Sequence, residues 1–133
     1  MAGKTKEFRY AVDLREGGAV RTEDGTPLGD GPEWTPEHLV LAALLRCSVA
    51  SLRHHALRAQ IEVTRATGNA AALFTRRESD GRFAMTKVEL ALDVELEPEL
   101  GQDELGHLLQ KAERDCFIGA SLAVKPTYRW GTA

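Results

Sequence analysis

The sequence predicts a single α+β domain over residues 1–133, with antiparallel strands and segregated helices. Three observations lead there. Phe8 to Leu14 and Phe83 to Leu96 alternate apolar and polar residues with period two, the signature of half-buried strands. The stretch opened by Thr35-Pro36-Glu37 is apolar on nearly every side from Leu39 to Leu52, which describes a buried central helix. Gln102 to Asp115 carries Leu105, Leu108, Leu109 and Ala112 on one stripe, continued by Cys116, so a second, amphipathic helix follows the strands. A chain of 133 residues holds one domain with a real core, but not comfortably two.

The elements follow in order. In the first strand Phe8, Tyr10, Val12 and Leu14 alternate against Arg9 and Asp13. Glu16-Gly17-Gly18 signals a turn, and Ala19 to Thr22 returns as the hairpin partner. Glu23 to Trp34 is rich in Gly, Pro and Asp and reads as an exposed loop. Thr35 caps the central helix, Pro36 occupies a first position where its missing N–H costs nothing, and Glu37 suits the dipole. The helix turns polar at Arg53-His54-His55 and fades near Gln60. Ile61 to Ala66 and Ala70 to Thr75 read as two further strands, and Asp80-Gly81 as a hairpin turn. In the long strand Val88, Leu90, Leu92, Val94 and Leu96 face one way, and Glu89, Asp93 and Glu95 the other. Pro98 stops it, and Lys125 to Trp130 makes a last, edge strand.

Bulk properties narrow the function. With 43% hydrophobic and 28% charged residues the composition is that of an ordinary globular protein. A formal net charge of -3 offers a nucleic acid no electrostatic welcome. No apolar run reaches the ~18 residues of a membrane span. The N-terminus, Met1 to Lys6, leads into Glu7-Phe8-Arg9-Tyr10 without an apolar signal core, so the expected location is cytoplasmic. There, two thiols read better as free, metal-bound or catalytic than as a structural disulfide. Neither a Rossmann fingerprint nor a P-loop is present, and no cofactor is expected.

Cys47 and Cys116 are the most informative residues. The bland reading of each is a small buried hydrophobe. Context raises both: Arg46 adjoins Cys47 and Glu37 lies on the same helix, and charged groups enter an apolar core only when paired. A zinc site of Cys47, Cys116, His54 and His55 is disfavoured, because consecutive histidines point ~100° apart on a helix. His54 lies ~10 Å along the axis from Cys47, too far for a Cys–His dyad.

Pro36-Glu37-His38-Leu39, then Ala42-Ala43, then Cys47 resembles the Asn-Pro-Glu-(Glu/Gln)-Leu … Ala-Ala … Cys helix of the OsmC/Ohr family. Those proteins are thiol peroxidases of the osmotically inducible and organic hydroperoxide resistance type. Ala112-Glu113-Arg114-Asp115-Cys116 and the residues to Leu122 resemble that family's second-cysteine segment. The two motifs occur in the right order, and the resemblance covers nearly the whole chain. It implies an OsmC-like fold, with antiparallel sheets around a buried central helix in an intertwined homodimer. It implies that Cys47 is the peroxidatic cysteine, Cys116 the resolving one, and Glu37 the carboxylate orienting a catalytic arginine. That arginine comes from the family's N-terminal hairpin; Arg15 is the best match here, with Arg21 and Arg46 as alternatives. The implied substrate is an organic hydroperoxide and the implied reductant a dithiol or lipoyl-type group. The chain departs from the family at Phe117, where Pro is usual, at Gly119-Ala120 for Ser-Asn, and at Arg46 for a small residue. The competing expectations are a non-catalytic domain of this fold binding a small apolar ligand, and a redox-sensing dimer.

The residue types suit the chemistry. Peroxide is attacked by thiolate, and at a pKa of ~8.5 only about 3% of a cysteine is ionised at pH 7. A pKa of ~6 raises that to roughly 90% and requires about 3.4 kcal/mol of differential stabilisation, within reach of one partly desolvated guanidinium.

Overall fold

The structure, a computed structural model, describes residues 6–29 and 32–132. Its backbone is one five-stranded sheet in the order β2-β1-β3-β4-β5, with the helices packed on one face. β1 (Phe8–Leu14) pairs antiparallel with β2 (Val20–Thr22) across a 3-10 turn at Glu16–Gly18. β1 also pairs antiparallel with β3 (Glu62–Arg76), which forms a long hairpin with β4 (Phe83–Glu97). β5 (Thr127–Thr132) lies parallel to β4 at the sheet edge. A parallel neighbour requires a crossover, and the chain makes it through α2 (Gln102–Arg114) and α3 (Phe117–Ser121). The sheet is therefore mixed, not wholly antiparallel as the alternation pattern suggests.

Between the hairpins runs α1 (Pro36–Arg58). Its start is overdetermined. Thr35 Oγ1 accepts from the His38 N–H at 3.3 Å while His38 Nδ1 accepts from the Thr35 N–H at 3.2 Å, a capping box with histidine in the glutamate position. His38 Nε2 reaches on to Glu23 at 3.1 Å, and Trp34 donates to the Pro27 carbonyl at 2.6 Å. Trp34 is buried, so the loop before α1 is anchored, not simply exposed; Asp30 and Gly31 within it lie outside the described residues.

One face of α1 supplies the core. Leu41, Leu44, Leu45 and Val49 pack against Val12, Leu14, Ala70, Ala72, Val88, Leu90 and Leu92 of the sheet. Leu52 and Ala56 meet Val63, Val94, Leu108 and Ala112, which seats α2. Ser51 Oγ donates to the Ala112 carbonyl at 2.8 Å, tying the two helices together. Each fully buried leucine contributes roughly 1.5–3 kcal/mol. The other face of α1 is open in the single chain: Leu39, Val40, Ala43, Ala50 and Leu57 are exposed.

Two local differences from the sequence reading stand out. Residues 62–76 form one strand, not two, and run through Gly68. A Cβ at Gly68 would collide with the Ala91 carbonyl of β4, so glycine marks a close approach of two backbones here and not a break. The amphipathic helix ends at Arg114, so Cys116 does not continue its stripe but caps α3. Among the described residues, no helix is long and apolar enough to cross a membrane.

Candidate functional site

Cys47 and Cys116 come together where α1 meets α3. The turn after α2 makes this possible. Asp115 ends α2 with a carboxylate that receives Arg114 in a two-pronged pair at 2.9 Å and His55 Nε2 of α1 at 2.8 Å. The Arg114 guanidinium holds the Asp115 carboxyl well below the usual carboxylate range, and His55 adds to this. The next residue, Cys116, adopts extended backbone angles and begins α3.

Both sulfurs receive backbone donors from that short helix. The Ile118 N–H points to Cys47 Sγ at 3.5 Å and the Gly119 N–H to Cys116 Sγ at 3.4 Å. Both cysteines are free thiols. They are unequal in exposure: Cys116 is wholly buried, whereas Cys47 is half-buried and opens on a cavity of about 420 Å³. Ala50, Ser51, His54, Asp115 and Phe117 line that cavity with Cys47. Burial pushes the Cys47 thiol above its ordinary value, the Cys116 thiol beside it adds to the rise, and the Ile118 amide opposes it. Within one chain, then, the surroundings of Cys47 raise its thiol on balance.

The charged residues lie elsewhere in the chain. Glu37 precedes Cys47 by ten residues on α1, ~15 Å along the helix axis, and is half-buried. Arg15 is exposed at the end of β1 and lines a surface hollow with Asp13, Arg65, Asn69 and Asp93. Arg46 turns away from its neighbour Cys47 and donates to the Gly18 carbonyl at 2.6 Å, so it is not paired with Glu37 but holds the N-terminal hairpin turn against α1. Arg21 is exposed on β2. His54 lines the Cys47 cavity, whereas His55 points to Asp115.

Residues outside the sequence reading complete the site. Ser48, wholly buried, places Oγ 3.6 Å from Cys116 Sγ and 2.9 Å from the Tyr128 hydroxyl of β5. Tyr128 stacks on Trp130, whose Nε1 donates to Glu113 at 2.8 Å. Ser48 carried no distinct signal, since Ser51 repeats its hydroxyl one turn on. Tyr128 lies in Pro126-Thr127-Tyr128-Arg129-Trp130, whose aromatics suggest ligand stacking less than an edge strand, and its contact with Ser48 arises only from the parallel crossover.

Comparison with known proteins identifies the fold and the family. A family model described as OsmC-like protein matches residues 29–130. Among curated proteins, none matches the sequence significantly. Solved structures share the fold at low identity. An OsmC-like protein of unknown function from Vibrio cholerae is 17% identical, over 97% of this chain and 99% of that one, with a TM-score of 0.66. An organic hydroperoxide resistance protein OsmC from Legionella pneumophila is 22% identical, over 98% of each chain, with a TM-score of 0.58. The organic hydroperoxide resistance protein OhrB of Bacillus subtilis is 21% identical, over 96% of this chain and 98% of that one, with a TM-score of 0.54. Matched from residue 29 to residue 130, well over half its length, the chain belongs to the OsmC-like protein family.

Proposed function

We propose that this protein is a thiol-dependent peroxidase that reduces organic hydroperoxides to alcohols. The observation that carries the reading is the meeting of Cys47 and Cys116, far apart in sequence, on adjacent amides of α3. Cys47 thiolate attacks the distal peroxide oxygen, the O–O bond breaks, and the alcohol leaves. The resulting Cys47 sulfenic acid condenses with Cys116, forming the disulfide and releasing water. A dithiol or lipoyl-type reductant returns both thiols. The cavity beside Cys47, with Ala50 and Phe117 in its wall, suits an alkyl tail, which gains by burial.

Activation of Cys47 calls for a cation, and among the described residues the cavity lining holds no arginine or lysine. A homodimer supplies one. The open apolar stripe of α1 carries Cys47 itself, so a second copy docked there closes the cavity and buries the central helix on all sides. It also brings a partner hairpin, with Arg15, toward the thiol and offers Glu37 a guanidinium to orient.

The test is direct. Reduced protein treated with a slight excess of cumene hydroperoxide should lose two hydrogens by mass, with Cys47 joined to Cys116, and the Cys47→Ser variant should be inert. The raised Cys47 thiol favours a second reading, a redox sensor or apolar-ligand domain of the same fold. Slow oxidation that hydrogen peroxide and cumene hydroperoxide drive equally would select it.

A further inference from the structure

We propose that Ser48 and Tyr128 form a hydroxyl relay that carries the proton of Cys116 to a solvent cleft distinct from the cavity on which Cys47 opens. This rests on the assignment of Cys116 as the residue that closes the disulfide. Cys116 has no exposure at all, so its thiol proton has no direct route to water. Its sulfur lies 3.6 Å from the Ser48 hydroxyl, with the Tyr128 hydroxyl close by. Ser48 is equally enclosed, at 1% exposure, and its other neighbour is the Tyr128 hydroxyl at 2.9 Å. Gly119 shows how compact the group is: a Cβ there would lie 3.5 Å from the Tyr128 oxygen and 3.6 Å from Cys116 Sγ. Tyr128 in turn lines a cleft of about 690 Å³, open to solvent, with Lys111, Glu113, Arg114 and Lys125 around it. Sulfur, hydroxyl and hydroxyl thus form a chain that ends on a residue lining the cleft.

The path matches what resolution requires. Cys116 Sγ attacks the sulfenic sulfur of Cys47; the S–S bond forms, the S–O bond breaks, and hydroxide leaves on the Cys47 side. Cys116 is oxidised and the sulfenic sulfur is reduced by the same electron pair. The Cys116 proton passes to Ser48 Oγ as the Ser48 proton passes to Tyr128 and the Tyr128 proton to water in the cleft. That proton and the released hydroxide sum to one water. On reduction of the disulfide by a dithiol the path runs in reverse and reprotonates the departing Cys116 thiolate. Tyr128 suits the role because burial pushes its own ionisation well above the ordinary range, so it remains a neutral hydroxyl. Ser48 takes the proton from the reacting sulfur, and Tyr128 hands it on towards the cleft.

Closure is measured in the full chain with two oxidants. Cumene hydroperoxide forms the sulfenic acid at Cys47, and diamide forms a Cys47 adduct without any peroxide chemistry; Cys116 must displace the leaving group from both. Ser48→Ala and Tyr128→Phe should slow closure near neutral pH on the order of 100-fold, the scale of a lost proton-transfer partner. Dimedone-trappable sulfenic acid should accumulate, while the first oxidation of Cys47 keeps its rate. The defect should shrink as pH rises, because hydroxide then takes over removal of the proton, and Ser48→Thr should restore most of the rate. Closure at the wild-type rate in Ser48→Ala overturns the relay. So does a defect equal at every pH, which is what a displaced sulfur would give. If hydroperoxide leaves the wild type unoxidised but diamide closure shows the pH-dependent defect, the peroxidase reading falls and the relay stands.

Discussion

At the scale of single residues, the two thiols meet, but in surroundings that raise Cys47. The Cys47 sulfur has a backbone donor in Ile118 and a neighbouring thiol in Cys116, and burial outweighs the donor, pushing the thiol above its ordinary value. A raised thiol pKa means that less thiolate exists at any pH below it, and the deficit disappears only once pH climbs past that value. A guanidinium within a few ångströms reverses the sign. If the partner's hairpin supplies it, the pH dependence of iodoacetamide alkylation at Cys47 in a Cys116→Ser background should have its midpoint below the ordinary thiol value of ~8.5. Arg15→Gln should move that midpoint above the ordinary value, to where burial alone places it. Coincident midpoints would remove Arg15 from the mechanism. The sequence displayed the two thiols because each belongs to a local motif, and it offered Arg15, Arg21 and Arg46 as candidate cations. It did not display Ser48 against Cys116, a contact between residues 68 positions apart that exists only after folding.

At the scale of elements, periodicity was legible wherever burial was one-sided. β1 and β4 alternate because one face meets α1 and the other meets water, and their inward residues, such as Val12 and Leu90, are buried as the pattern implies. The pattern misled where glycine has a tertiary cause. Thr67-Gly68-Asn69 looks like an interruption between two short strands, but the strand continues and pairs Gly68 with Leu92. The absent side chain is a packing requirement imposed by the Ala91 carbonyl, and Leu92 Cδ2 lies only 2.9 Å from where a Cβ would stand. Gly68→Ala should therefore destabilise the protein by about 1–3 kcal/mol, the range for forcing extra volume into a packed region. Gly106→Ala makes the contrast: no atom lies within 4 Å of its Cβ position, and removing a helical glycine should stabilise by up to about 1 kcal/mol. Urea unfolding of both variants reads the two signs; a neutral Gly68→Ala would mean that the hairpin yields freely. α3 escaped the sequence reading for a simpler reason, since five residues are too few to show a period.

At the scale of the whole molecule, α1 is the element whose sequence and surroundings disagree. Its composition fits burial all round, yet the single chain covers only the face bearing Leu41, Leu44, Leu45, Ser48, Leu52 and Ala56. The opposite stripe, Leu39, Val40, Ala43, Cys47, Ala50 and Leu57, recurs at helical spacing and leaves Leu57 77% exposed. Leaving such a stripe in water forfeits apolar burial at about 25 cal/mol per Å², and two small residues at its centre, Ala43 and Ala50, allow another helix to approach closely. A second copy of the same helix satisfies both conditions. Ala43→Glu places a charge in the middle of that stripe while leaving every buried contact of α1 with the sheet intact. In a dimer with this seam, the substitution should convert dimer to monomer in sedimentation while the far-ultraviolet circular dichroism stays unchanged. The monomer should also lose rapid reaction with cumene hydroperoxide, because its Cys47 is left with the raised thiol of the lone chain, and alkylation should titrate where it does in Arg15→Gln. A monomeric Ala43→Glu that still reacts at the wild-type rate would locate the activating charge within one chain, and a dimeric one would move the seam away from α1.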